Sequence, residues 1–196
     1  QLEHAQSETD VPAIVFWHPF ELNPNMPEEG QDLFEHVTEK YGSTLEKSRE
    51  ARSNLTELGA ALGFAFDYAD DMRMVNTFRT HQILHWAATK DRQHQMKMAL
   101  FEAFFTKRMD VSRSEVLCDV AASLDLDRDE ADAILGDARF ADEVRQRETF
   151  WTSRGVQGVP AMVFNGKQAL LGAQGIDTYK SMLLQLSGDT ADNEGA

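Results

Sequence analysis

One thiol, two histidines a helical turn apart and a proline behind a glycine pair are the side chains whose types and spacing could do chemistry here. Cys118 is the single cysteine, set beside Leu117, Val120 and Ala121. A small buried hydrophobe is wanted there, and Asp119 is neither the cation nor the helix N-terminus that a reactive thiolate needs, so Cys118 reads as an inert core thiol. His81 and His85 are i and i+4 on one helical face, a spacing that can hold a metal. No nearby Glu or third ligand completes a site, so both read as packing or capping residues and no metal is assigned. Asn76 is a poor mid-helix residue whose side chain prefers local backbone bonds, which points to capping. Glu21 and Asn23 lie in a loop between Pro19 and Pro24 and read as part of a turn.

The most informative stretch is Gly155-Val156-Gln157-Gly158-Val159-Pro160, followed by Ala161-Met162-Val163-Phe164 and the turn Asn165-Gly166. Proline cannot donate to a strand ladder, so it belongs at a strand's start, edge or bulge, and an X-Pro bond costs only about 0.5–1 kcal/mol to hold cis. Val159-Pro160 is therefore a candidate for a rigid, backbone-presenting loop at the mouth of a buried strand. Phe164-Asn165-Gly166-Lys167 predicts a type I′ hairpin, Gln168 to Leu171 the return strand and Ile176 to Leu186 a helix.

The elements that must position these residues are mostly helical. Ala13 to Trp17 reads as a strand. Pro27 opens a helix with Leu33, Phe34, Val37 and Tyr41 on its apolar face, and Gly42 stops it. Ser43 caps a polar helix to about Leu62. Asp70 or Asp71 caps a helix of about 18 to 20 residues, roughly 30 Å, on which Met74, Phe78, His81, Leu84 or His85, and Ala88 recur at helical spacing. Asp91 to Lys107 follows with Met96, Leu100, Ala103 and Phe104 on one side. Ser112 or Ser114 caps Glu115 to Leu124, Asp127 caps the next helix, and Asp142 to Arg154 leads into the proline loop. Residues 187–196 are small and acidic and read as disordered.

In order and spacing these motifs resemble the DsbA-like thiol oxidoreductases, and more narrowly their FrnE-type branch. The resemblance rests on His18-Pro19-Phe20-Glu21-Leu22-Asn23-Pro24, on Asn76-Thr77-Phe78 with His81 and Leu84-His85-Trp86, on Ala99 to Phe105, on Gly158-Val159-Pro160 and on Leu171-Gly172-Ala173-Gln174. It implies a thioredoxin-like α/β fold with a large all-α insertion between the second strand and the cis-proline strand. The implied division is residues 1–26 and 155–186 for the thioredoxin-like part, 27–154 for the insertion and 187–196 for the tail. It implies substrate contacts at Gly158, Val159 and Pro160, and, across a groove framed by the helices, at Asn76, His81 and Phe20.

The family's chemistry belongs to a Cys-x-x-Cys motif, which these residues do not contain. The expectation is that both cysteines lie upstream of Gln1, so no catalytic residue is assigned within the chain and no cofactor is called for. The implied activity is thiol–disulfide exchange with a protein or a small thiol, glutathione among them. A glutathione-dependent enzyme resembling kappa-class glutathione transferases or 2-hydroxychromene-2-carboxylate isomerases is the alternative, and a redox-inactive binding module a third. A formal net charge of −14, with no basic cluster, disfavours nucleic acid and anionic membranes as partners. A single cysteine suits a reducing cytoplasm, with a periplasmic location left open by the expected upstream segment. Oligomeric state is not legible.

Overall fold

The structure, a computed structural model, describes the backbone of residues 1–193 and side chains as far as Gly188. Two compact units make up the chain: Gln1–Val15 together with the segment from Thr152 onward, and Phe16–Trp151, which interrupts the first in sequence. The interrupting unit is almost wholly helical, so the architecture is α/β with a large helical insertion.

Helix α1 (Leu2–Thr9) ends where Asp10 turns into the left-handed region at φ 56° and donates its N–H to the Gln6 carbonyl. The next residues depart from expectation, because Ala13 to Trp17 forms no strand and Ile14 is 82% exposed. A strand exists only by virtue of a ladder partner. Neither two-stranded sheet among the described residues takes this segment in. At Trp17 a side chain substitutes for a neighbouring strand: the Gln93 amide accepts from the Trp17 N–H (3.0 Å) and donates to its C=O (2.9 Å).

In the helical unit, β1 (Gln31–Asp32) pairs antiparallel with β2 (Arg73–Met74). Gly30 makes that approach possible, since it sits at φ 69° and a Cβ there would lie 2.3 Å from the Met74 carbonyl oxygen. The same ladder corrects two expected helices. α2 (Leu33–Tyr41) starts at Leu33 rather than Pro27, because Gln31 and Asp32 are committed to β1 and the Asp32 carboxylate accepts from the Phe34 and Glu35 N–H groups. Thr44, not Ser43, caps α3 (Leu45–Ala61) through the Lys47 N–H. The long helix expected from Asp70 shrinks to α4 (Phe78–Ala88), 11 residues, because Arg73 and Met74 pair with β1 and the Asp70 carboxylate is held by Arg49 and Arg52.

α5 (Gln93–Phe101) runs on into a π-helical turn, Glu102–Thr106. α6 (Ser114–Ala122) has no side-chain cap, since Ser112 bonds Asp110 and Ser114 is already helical. Asp127 caps α7 (Arg128–Asp137) through the Asp129 and Glu130 N–H groups, and α8 (Ala141–Thr152) closes the unit. Ile83, Trp86, Met96, Leu117 and Ile134 from α4 to α7 form the fully buried centre, each contributing roughly 1.5–3 kcal/mol of transfer free energy. Cys118 belongs to this core.

The other unit continues with β3 (Ala161–Phe164), β4 (Gln168–Leu171) and α9 (Ile176–Asn193). Asn165 (φ 49°) and Gly166 (φ 69°) take the two positive-φ positions of the turn, and the Lys167 N–H donates to the Phe164 carbonyl at 3.0 Å. Met162, Phe164 and Leu170 pack with Ala5, Tyr179 and Leu183, while α1 lies against α9 with Lys180 paired to Glu8 at 2.8 Å. The expectation of disorder from Ser187 is corrected as far as Asn193, which α9 includes. A helix already nucleated gains one hydrogen bond for each residue it adds, so a weakly apolar extension follows. Residues 194–196 lie outside the described residues.

Residues 16–26, expected with the thioredoxin-like part, group with the helical unit. Gln93 holds Trp17, Arg145 pairs with Glu21 and the Asn76 amide donates to the Met26 carbonyl at 2.7 Å. No helix among the described residues is long and apolar enough to cross a membrane.

Candidate functional site

The first candidate is the proline loop. The Val159–Pro160 peptide bond is cis, and the Pro160 carbonyl accepts from the Gly172 N–H at 2.8 Å, which continues the β3–β4 ladder one step past Ala161. Gly155 enters the loop at φ 86°. Val159 is 56% exposed, and among the described residues no hydrogen bond engages its N–H or C=O. An exposed residue with both backbone groups open offers an incoming extended chain a donor and an acceptor to pair with.

The second candidate lies within the helical unit, as a cavity of about 460 Å³ between the Phe16–Pro19 segment, α4, α5 and α8. His81, Leu84, His85 and Ala88 line it from one face of α4, at the i, i+3, i+4, i+7 spacing of a single stripe. Gln93 and Lys97 line it from α5, four residues apart, and Arg147 reaches it from α8. The ammonium of Lys97 stands 4.3 Å from the Phe101 ring centroid and 5.5 Å from that of Trp17. Burial without a carboxylate partner pushes Lys97 down to about 8. His81 is held down at about 3, first by burial and then by the charge of Lys97, although a hydrogen bond to the Phe20 backbone favours its protonated form. It is therefore a neutral imidazole near pH 7. His18 is lowered as well, by burial and by Arg147. His85 pairs with Glu143 at 2.6 Å.

The thiol is elsewhere. Cys118 is 1% exposed, and burial together with Asp132 raises its pKa, so the thiolate that exchange requires is disfavoured twice. Among the described residues no group of three His, Cys, Asp or Glu is placed to hold a metal.

A scan against protein families matches residues 1–184 to the DSBA-like thioredoxin domain. The chain belongs to that family. Among solved structures it is similar to a probable DsbA oxidoreductase from Streptomyces coelicolor, at 30% identity and a TM-score of 0.85, over 95% of this chain and 82% of that one. A comparison with curated proteins gives no match. The architecture is thus a DsbA-like thioredoxin fold with a helical insertion, and the family is one of thiol–disulfide oxidoreductases.

The residues expected to contact substrate fall in both units of this DsbA-like frame. Gly158, Val159 and Pro160 are together in the hairpin unit; His81 lines the helical cavity, with Phe20 bonded to it through the backbone. Asn76 spends its side chain on structure, accepting from the Phe78 N–H at 2.9 Å and donating to Met26, so it both caps α4 and ties down the segment before α2. Trp86 is core, with its indole N–H on Glu130, whereas Trp17 is cavity wall. Sequence reading missed Lys97, Gln93 and Glu21. The available signal for the first two was a second face of α5, with Gln93, Lys97 and Phe101 at i, i+4, i+8 beside the apolar stripe. Glu21 gave none, because its partner Arg145 stands 124 residues away.

Proposed function

We propose that this chain is the docking part of a FrnE-type thiol–disulfide oxidoreductase whose exchanging sulfurs are carried by residues other than Gln1 to Ala196. The supporting observation is the open Val159 backbone beside Pro160, in a chain whose family membership extends over residues 1–184. In the exchange, a thiolate attacks one sulfur of a disulfide, a new S–S bond forms as the old one breaks, and the other sulfur departs as thiolate. A second thiolate then attacks the mixed disulfide and releases the reduced partner. Buried Cys118, with its thiol pKa raised, suits neither role. The substrate is an extended cysteine-bearing segment that adds to the Val159 N–H and C=O, with glutathione as the small-thiol alternative. A cytoplasmic location accords with the single cysteine.

The test assays the natural gene product containing this chain for reduction of a protein disulfide, beside the 196-residue chain. The expected outcome is exchange by the first and none by the second. A gene product that stays inactive with its cysteines reduced defeats the reading. Docking is checked on the isotope-labelled chain titrated with an S-methylated cysteine peptide, which should shift resonances centred on Val159. Glutathione shifting the helical cavity instead would select the small-thiol alternative.

A further inference from the structure

We propose that the helical cavity is a binding site for a small free carboxylate with a flat apolar body, its carboxylate held by Lys97 and Arg147 and its body against Trp17, Phe16 and Leu84. This does not rest on the exchange reading, because the cavity lies in the helical unit and binding is read without any thiol.

The chain has 33 acidic against 19 basic residues, yet among the described residues no carboxylate lines this cavity, and Glu143 behind its wall is taken by His85. Its cations are Lys97 and Arg147, while His81 is neutral near pH 7. Half-buried cations elsewhere in the unit are matched: Arg145 by Glu21 and Glu148, and Arg52 by Asp70. Lys97 has two aromatic rings instead of an anion, an arrangement that offsets only part of the loss of water around an ammonium. A ligand carboxylate reaching Lys97 would supply the counter-charge that the protein itself omits.

A cavity near 460 Å³ falls in the range of about 300–1,000 Å³ found for small-molecule sites, and Phe16, Trp17, Pro19, Leu84 and Ala88 give it apolar wall beside its polar groups. The wall is held in place by the chain's own hydrogen bonds. The Gln93 amide clasps both backbone groups of Trp17, and the Trp17 indole N–H donates to His94 Nδ1 at 3.3 Å, so the ring that would face the ligand's apolar body is fixed. Preorganised walls lower the ordering cost of binding.

The experiment titrates the 196-residue chain by calorimetry with 3-phenylpropionate, its neutral amide 3-phenylpropanamide, and acetate. The acid should bind at least tenfold more tightly than the amide, which lacks the charge, and than acetate, which lacks the apolar body. Lys97→Met should bring acid and amide to within about threefold of each other while the amide still binds, which shows the cavity to be intact. Arg147→Gln, at the exposed edge, should cost less and lose its effect in high salt. In the unaltered chain, resonances of Trp17, His81 and Lys97 should shift with the acid. Equal affinity for acid and amide, an undiminished preference in Lys97→Met, or shifts that bypass Trp17 and His81 would each overturn the proposal.

Discussion

Two cationic regions of the helical unit meet the loss of water in opposite ways. Arg145 lies between Glu21, whose side chain is only 3% exposed, and Glu148, with its guanidinium 3.8 Å above the Phe78 ring. Lys97 lies among Trp17, Phe101 and a neutral His81, and among the described residues two rings, not a carboxylate, face its charge. In the first region the charges are matched by chain segments brought from residues 21 and 145. The second is a cavity with its positive charge left open. Carboxylates are thus supplied to the cation that joins distant segments together, whereas aromatic rings surround the cation of the cavity beside α4 and α5.

Arg145→Met should have the largest effect. It leaves the Glu21 carboxylate buried without its cation, and breaking a buried pair costs about 3–5 kcal/mol, less here because Arg145 is itself half-exposed and screened. Urea denaturation at pH 7 should show a loss of roughly 2–3 kcal/mol; a loss under about 0.5 kcal/mol would mean that Arg145 does not hold the segment around Glu21.

The neutral imidazole of His81 gives the next. Its folded pKa, about 3, lies below the unfolded value of about 6.5, so the unfolded chain binds a proton that the folded chain refuses. Stability from this group is full above pH 6.5 and falls as pH drops toward 3, by at most about 1.4 kcal/mol per pH unit. Glu148 works in the opposite direction, since burial and then the charge of Glu21 raise its pKa and the folded state keeps its proton longer. A pH series of denaturation midpoints should therefore be flatter below pH 6 in His81→Asn than in the native chain. Identical slopes would show that the cavity is wet enough for His81 to titrate normally.

Lys97→Met sharpens the contrast with a smaller effect of opposite sign to that of Arg145→Met. Replacing a desolvated, unmatched ammonium by a methionine of similar length should raise the stability of the unliganded chain by about 1 kcal/mol at pH 7, read from the urea midpoint. A destabilisation of that size would mean that the two ring contacts outweigh the cost of the charge. The smallest effect is expected at the exposed Arg49–Asp70 pair, where Arg49→Ala should leave the midpoint where it was. A clear drop there would erase the distinction between interior and surface cations.

The residues legible in the sequence alone are those whose partners are local in the chain. Asp127 capping α7, Gly42 ending α2, Asn165-Gly166 turning β3 into β4 and the α4 stripe of His81, Leu84 and Ala88 all follow from spacing of a few residues. Cys118 is readable as a core residue because its immediate neighbours on α6 are apolar. Val159-Pro160 is readable because proline's missing N–H and constrained ring act within its own loop.

Everything that depended on distant chain segments was decided by the tertiary structure. Ala13 to Trp17 has the composition of a strand, yet strand formation needs a ladder partner, and Trp17 found the Gln93 side chain instead. Pro27 and Asp70 have the character of helix starts, but β1 pairs with β2 and takes residues from both expected helices. Asn76 has the character of a cap and accepts from Phe78 accordingly, but its second bond, to Met26 fifty residues away, was set by the closed chain. Lys97 is an ordinary lysine in sequence, and only the approach of Trp17 and His81 strips its water and makes it a cation without a counter-charge. Local rules act through backbone geometry that each residue carries with it. Desolvation and pairing between distant segments arise only when the chain has closed on itself.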